Sequence, residues 1–297
     1  MLWQRSAHDL VFETVNLGDT FRNREFSPRG GKAILVRTTR FKETYGPYAL
    51  IAGGSYGLGA AFAEAVARRG VNLVLLARQE DRLQATAAGL RAAYDVDVIA
   101  VAVDMADYDR VKQSVGDLKL SIGLLVYDAA YAPIGRFEDV TEDQLALAAA
   151  VNVRAPLLLA KLLSAPMIGR GRGGIVLMSS LAGLQGSPNI AAYAATKAFN
   201  TILAEGLWKE LKPRGVDVLA CNAGAILTPG YQQAENAKPA PGTLHAKEVA
   251  EQTLNALGKG PVVVPGAVNK VGRFILTRLM TRRAAIAIMS KNTGGLS

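Results

Sequence analysis

A single cysteine, Cys221, stands among the 297 residues, so no internal disulfide can form. The two histidines, His8 and His245, are too few for a zinc site built from several His and Cys ligands. Uncharged apolar runs long enough for a membrane span are missing. So are the apolar core and small-residue cleavage site of a secretory signal at the start. Glycine is frequent, at 30, but keeps no triplet period, which excludes a collagen-like chain. Half of the residues are apolar and a fifth are charged, too apolar for a mostly disordered chain. What is left is an α/β protein of one or two domains, expected in the cytoplasm.

The formal charge of +9 suggests nucleic acid until it is divided along the chain. Residues 1–45 carry +3, residues 46–251 carry −1, and residues 252–297 carry +7 with no acidic side chain. The basic excess therefore lives at the two ends. A phosphate-tracking surface would concentrate its charge on the folded body, so no nucleic-acid partner is expected.

The first 45 residues show no sustained period and read as a flexible N-terminal extension. From residue 46 short Val/Ile/Leu runs alternate with stretches of helical period. The runs fall at 49–53, 71–77, 98–103, 122–127, 175–179, 216–221 and 262–264. Helix candidates lie near 58–69, 80–93, 108–116, 142–168, 192–211 and 247–257. Runs apolar on both faces are what parallel strands covered by helices require. The pattern predicts a doubly wound, seven-stranded parallel sheet in three layers, α/β/α, over residues 46–267. A basic tail, 268–297, follows. Its Val271, Phe274, Ile275, Leu279 and Ile288 allow two readings: a peripheral membrane contact or lid, or a helix packed on its own domain with solvated cations.

After the first strand comes Gly53-Gly54-Ser55-Tyr56-Gly57-Leu58-Gly59, then a helix. Glycines let the backbone approach a pyrophosphate, and the free N–H groups that open the helix face that anion. Farther on, Tyr193 and Lys197 lie four apart on a helical stretch and so share a face. An ammonium there would stabilise a phenolate and lower the tyrosine pKa from about 10. Ser180 ends the fifth strand, where its hydroxyl can polarise a carbonyl.

The G-x-x-x-G-x-G turn, with Tyr193 and Lys197 thirteen residues beyond Ser180, resembles the short-chain dehydrogenase/reductase family over about residues 46–265. Ala52 stands where the family usually has threonine. The resemblance implies a Rossmann fold, with Tyr193 as acid/base, Lys197 as its electrostatic partner and Ser180 as carbonyl polariser. The interval selects Ser180 over Ser179. Asn152 would order a water for proton relay, although a buried structural asparagine is the plain alternative. The nucleotide would be held by Gly53, Ser55, Tyr56, Gly57, Leu58, Gly59, Asp104, Met105, Ala129, Tyr193 and Lys197. Ile226 and Thr228 would fix the carboxamide.

Arg78 directly follows the second strand, with Ala77 rather than a carboxylate before it, which fits a 2′-phosphate and implies NADP(H). The family's Asn-Asn-Ala-Gly is replaced by Tyr127-Asp128-Ala129-Ala130. These variations are similar to those of NADPH-dependent hydroxysteroid dehydrogenases and imply alcohol–ketone interconversion on a lipophilic, steroid-like substrate by a homo-oligomer. A ketoreductase of acyl thioesters and a non-catalytic NADP(H)-binding regulator are the alternatives.

Overall fold

The computed structural model describes residues 39–227 and 241–294. Seven strands form one sheet: β1 (Tyr48–Ala52), β2 (Asn72–Ala77), β3 (Val98–Ala102), β4 (Ile122–Tyr127), β5 (Gly173–Ser180), β6 (Val216–Ala223) and, after the two-residue strands β7 (Ile226–Leu227) and β8 (Leu244–His245), β9 (Val262–Val263). The order is β3-β2-β1-β4-β5-β6-β9, and every pair in it is parallel. The chain winds outward from β1 to β3, then crosses to β4 on the other side of β1. That reversal opens a crevice at the carboxyl ends of β1 and β4.

Both faces are covered, as doubly apolar strands demand. On one lie α1 (39–45), α2 (Gly57–Ala67), α3 (Glu80–Ala93) and α8 (Ala246–Ala256). On the other lie α4 (Tyr108–Asp117), α6 (Ala155–Arg170) and α7 (Ala191–Leu211). Helix α5 (Glu142–Ala149) starts at a capping box: Thr141 accepts from the Gln144 backbone N–H at 3.2 Å, and Gln144 returns a bond to the Thr141 N–H at 3.0 Å. Through a wider π turn, Ala150–Arg154, it runs on into α6. This composite over 142–170 is, by length and composition, apolar enough to cross a bilayer, although its few charges interrupt the uncharged run. Its Ala155, Leu159, Leu163 and Met167 are buried in the core beside the sheet, as in a soluble core helix.

The boundary expected at residue 46 is too late. Helix α1 places Phe41 and Tyr45 one turn apart, and both are buried with their rings 4.7 Å apart edge to face. Tyr45 also donates to Asp217 at 2.8 Å. One short turn carries too few residues to show a period, so only packing reveals it. Residues 1–38 lie outside the described residues.

The tail forms α9 (Ala267–Phe274), a π turn (Ile275–Leu279) and α10 (Arg282–Thr293). Helix α10 packs on its own domain: Ala285 and Thr293 are buried, and Asn189 donates to the Thr293 carbonyl at 3.1 Å. Val268, Val271, Phe274, Ile275, Leu279 and Ile288 are exposed, and nothing beyond this exposure supports the membrane reading of the tail.

Phe41→Ala should lower the unfolding free energy by about 3 kcal/mol, as for other buried phenylalanines. Urea denaturation would read this as a lower midpoint at unchanged slope. An unchanged midpoint would mean that α1 is not part of the folded body.

Candidate active site

The crevice is built by two backbone turns pressed together. Gly53 has φ +92°, and a Cβ there would sit 2.8 Å from the Ala129 nitrogen. A Cβ on Gly59 would collide with the Gly53 carbonyl oxygen. The glycines are therefore required first by the turn's own closure, and the open N-terminus of α2 follows from it. Asp128 N–H and Ala129 N–H both donate to the Ala52 carbonyl, at 2.9 and 2.8 Å. A cleft of about 400 Å³ opens here, lined by residues that include Gly53, Ser55, Tyr56, Arg78, Asp104 and Met105. Asp128 and Ala129 line it as well. Such a cradle, closed to any side chain at Gly53 and Gly59, fits a dinucleotide.

Arg78 is exposed at the cleft, its Nη1 4.0 Å from Asp104 Oδ2. Asp104 Oδ1 accepts from the Ala106 N–H at 2.9 Å, while the cap of α4 is Asp107. Sequence reasoning missed Arg82, which also lines the cleft, its guanidinium 5.2 Å from the Tyr56 ring centroid. The signal was present, because Arg78 and Arg82 are four apart. Ile226 lies in β7, paired with Leu244; Thr228 lies outside the described residues.

Ser180 and Tyr193 come together as expected. Ser180, at the end of β5, stands beside the Tyr193 phenol, and its hydroxyl accepts from the Ala182 N–H at 3.1 Å. Ser179 faces the other way: it donates to the Lys197 carbonyl at 2.6 Å and accepts from Thr201 at 2.8 Å, so it is a rivet between β5 and α7. Lys197 is buried, with its Nζ donating to the Met178 carbonyl at 3.0 Å and lying 5.5 Å from the Tyr193 ring centroid.

The expected lowering of the Tyr193 pKa is not present in this geometry. Burial pushes the phenol above its ordinary value; the Ser180 hydrogen bond opposes this, and the Asp128 carboxylate reinforces it. The physical reason is that desolvation penalises the phenolate more than one hydroxyl donor relieves it. Burial also pulls Lys197 down to about 8, against the pull of Asp128 and Cys221.

Asn152 lies in the π turn and is fully buried. Its amide accepts from the Tyr131 N–H at 2.8 Å and donates to the Tyr131 carbonyl at 2.7 Å and to Thr196 Oγ1 at 3.1 Å. Both N–H donors meet protein partners, so the side chain ties the loop after β4 to α7. Tyr127 has a role that the sequence did not reveal: its hydroxyl donates to the Val151 carbonyl at 2.5 Å inside the same π turn. Turns of this kind disturb the regular hydrogen-bond ladder, and a buried tyrosine supplies a partner.

The profile of the short chain dehydrogenase family matches residues 47–239. The chain belongs to that family. Its members use NAD(P)(H), and they act on CH–OH groups of small molecules. Among similar proteins, a very-long-chain 3-oxoacyl-CoA reductase of Phaeosphaeria nodorum is 31% identical, covering 86% of this chain and 79% of its own. A solved 7beta-hydroxysteroid dehydrogenase is 27% identical with a TM-score of 0.80, covering 84% of this chain and 99% of its own. A short-chain dehydrogenase from Sphingobium yanoikuyae in complex with NADPH is 30% identical with a TM-score of 0.68, covering 84% and 94%.

Tyr127→Phe should cost about 1–3 kcal/mol, because the buried Val151 carbonyl loses its donor. Thermal or urea unfolding checks this. A variant as stable as the parent would show that the hydroxyl does not support the π turn.

Proposed function

We propose that the protein is an NADP(H)-dependent oxidoreductase interconverting a secondary alcohol and a ketone, with a lipophilic, steroid-like substrate. The observation that carries this is Ser180 beside the Tyr193 phenol, with the buried Lys197 Nζ 5.5 Å from that ring, in a fold whose glycine-turn cleft is lined by Arg78. Arg78 and Arg82 support the 2′-phosphate form: two cations and no carboxylate at Ala77 favour an added phosphate over a bare ribose hydroxyl. The likeness to a 7beta-hydroxysteroid dehydrogenase supports a bulky lipophilic substrate, and a second cleft of about 290 Å³, walled by Pro133, Phe137, Val140 and Leu145 beside Arg136 and Glu138, offers room for one with both apolar and polar groups. In the same reading the enzyme is a cytoplasmic homo-oligomer, as members of the family are commonly oligomeric.

When bound, the nicotinamide would supply or take the hydride at the carbinol carbon. The chain's own residues manage the oxygen. Ser180 donates a hydrogen bond to the carbonyl, and Tyr193 gives its proton to that oxygen during reduction or takes it during oxidation. Proton loss leaves a phenolate, and the Lys197 ammonium is the nearby charge that makes this anion tolerable in a buried site. Asn152 and Tyr127 touch no reacting atom; they hold the loop and π turn against α7.

Tyr193→Phe should reduce turnover of a steroid ketone by at least 10²-fold, within the usual span for a lost acid/base group, while NADPH still quenches protein fluorescence. A regulator would keep its output in that variant, and retained turnover would remove Tyr193 from the chemistry. Assays with acyl thioesters beside steroid ketones separate the substrate classes. Arg78→Gln should weaken NADPH far more than NADH; equal losses would refute the 2′-phosphate role.

Because burial holds the Lys197 pKa near 8, its positive charge is present below that pH and is lost above it. The kcat/KM of reduction should therefore fall on the alkaline side from about pH 8. A profile flat to pH 10 would contradict this.

A further inference from the structure

β4 ends in a carboxylate, Asp128, which the alcohol–ketone chemistry does not use. It is partly buried and lines the same cleft as Gly53, Ser55 and Tyr56. The Gly59 backbone N–H in the first turn of α2 faces this carboxyl and favours its charged form. Asp128 Oδ2 lies 3.1 Å from where a Gly59 Cβ would stand. Tyr56, just before that helix, provides no side-chain cap, and the Asp128 carboxylate stands beside the first turn of α2. The N–H groups of this turn are also where a dinucleotide pyrophosphate docks. Two anions thus converge on one small positive end.

The titratable groups facing Asp128 are Lys197 and Tyr193 of α7 and Cys221 of β6. From α2 it meets a backbone N–H. Lys197 is the one cation in this set, and its Nζ already donates to the Met178 carbonyl. Burial outweighs both Lys197 and the Gly59 hydrogen bond, and the carboxyl is pushed up to about 6. A dianion placed beside it can only push it further.

We propose that Asp128 couples dinucleotide binding to proton uptake: the carboxylate takes one proton from solvent when the pyrophosphate docks, and the neutral acid no longer repels it. This rests on the dinucleotide site of the proposed function and adds a residue to it. The balance is one free chain, one dinucleotide and one proton in, one protonated complex out. Affinity therefore falls as pH rises above the free carboxyl's titration, by up to tenfold per pH unit. An asparagine here would be neutral at every pH and would carry no such coupling.

Calorimetry with NADH tests this on the full chain, because NADH lacks a 2′-phosphate, a group that itself titrates near pH 6. Titrations at pH 7 in two buffers of different ionisation enthalpy count the protons exchanged. The wild type should take up most of one proton, and Asp128→Asn close to none. Between pH 6 and 7.5 the NADH Kd should rise at least fivefold in the wild type and less than twofold in the variant. NADPH is a second probe, read as the difference between the two proteins, since its phosphate contributes equally to both.

The wild-type proton count needs no variant, so misfolding of Asp128→Asn would not rescue the idea. Binding without proton uptake, or uptake that persists in a folded Asp128→Asn, overturns the coupling and leaves the dinucleotide site standing. Binding of neither NADH nor NADPH overturns both.

Discussion

Two backbone segments meet at the carboxyl ends of β1 and β4 with no side chain between them, and the remainder of the site depends on that contact. The Ala52 carbonyl takes both the Asp128 and Ala129 N–H groups, and a Cβ on Gly53 would sit against the Ala129 nitrogen. Because the turn is this tight, α2 starts at the sheet edge with its open N–H groups facing the cleft. The same closeness brings the Asp128 carboxylate to the Gly59 N–H. A cradle for an anion and a competing anion thus come from one packing event.

On the other side of the crevice, α7 is fixed to β5 and β6 by buried polar contacts rather than by apolar packing alone. Ser179 holds the Lys197 carbonyl, Thr201 reaches both Ser179 and Asn222, and Lys197 itself holds the Met178 carbonyl. Such a network is costly unless satisfied, and when satisfied it permits one register only. That is how a serine at a strand end and a tyrosine on a helix reach one another. The π turn at Ala150–Arg154 completes the frame, with Tyr127 and Asn152 supplying hydrogen bonds in and around it.

The seven strands and six of the helices were legible in the chain because their periods are long and regular. All seven strands form within three residues of the expected places, and the helices form at the expected places too. The Ser180, Tyr193 and Lys197 group was legible for a related reason: a strand end and helical spacing bring those side chains to one edge of the sheet. Helix α1, too short for a period, was not legible. Nor was the work of Tyr127, whose partner Val151 is a carbonyl with no side-chain signature.

The amino-acid sequence by itself determined the parallel sheet, the glycine turn and the grouping of Ser180, Tyr193 and Lys197, since these follow from local period and spacing. Only the tertiary structure decided what each polar group experiences. Burial raises the Tyr193 phenol and depresses the Lys197 ammonium, and it sets Asp128 between a helix end and a lysine. Desolvation and the distances between charges arise only when strands far apart in the chain are packed side by side.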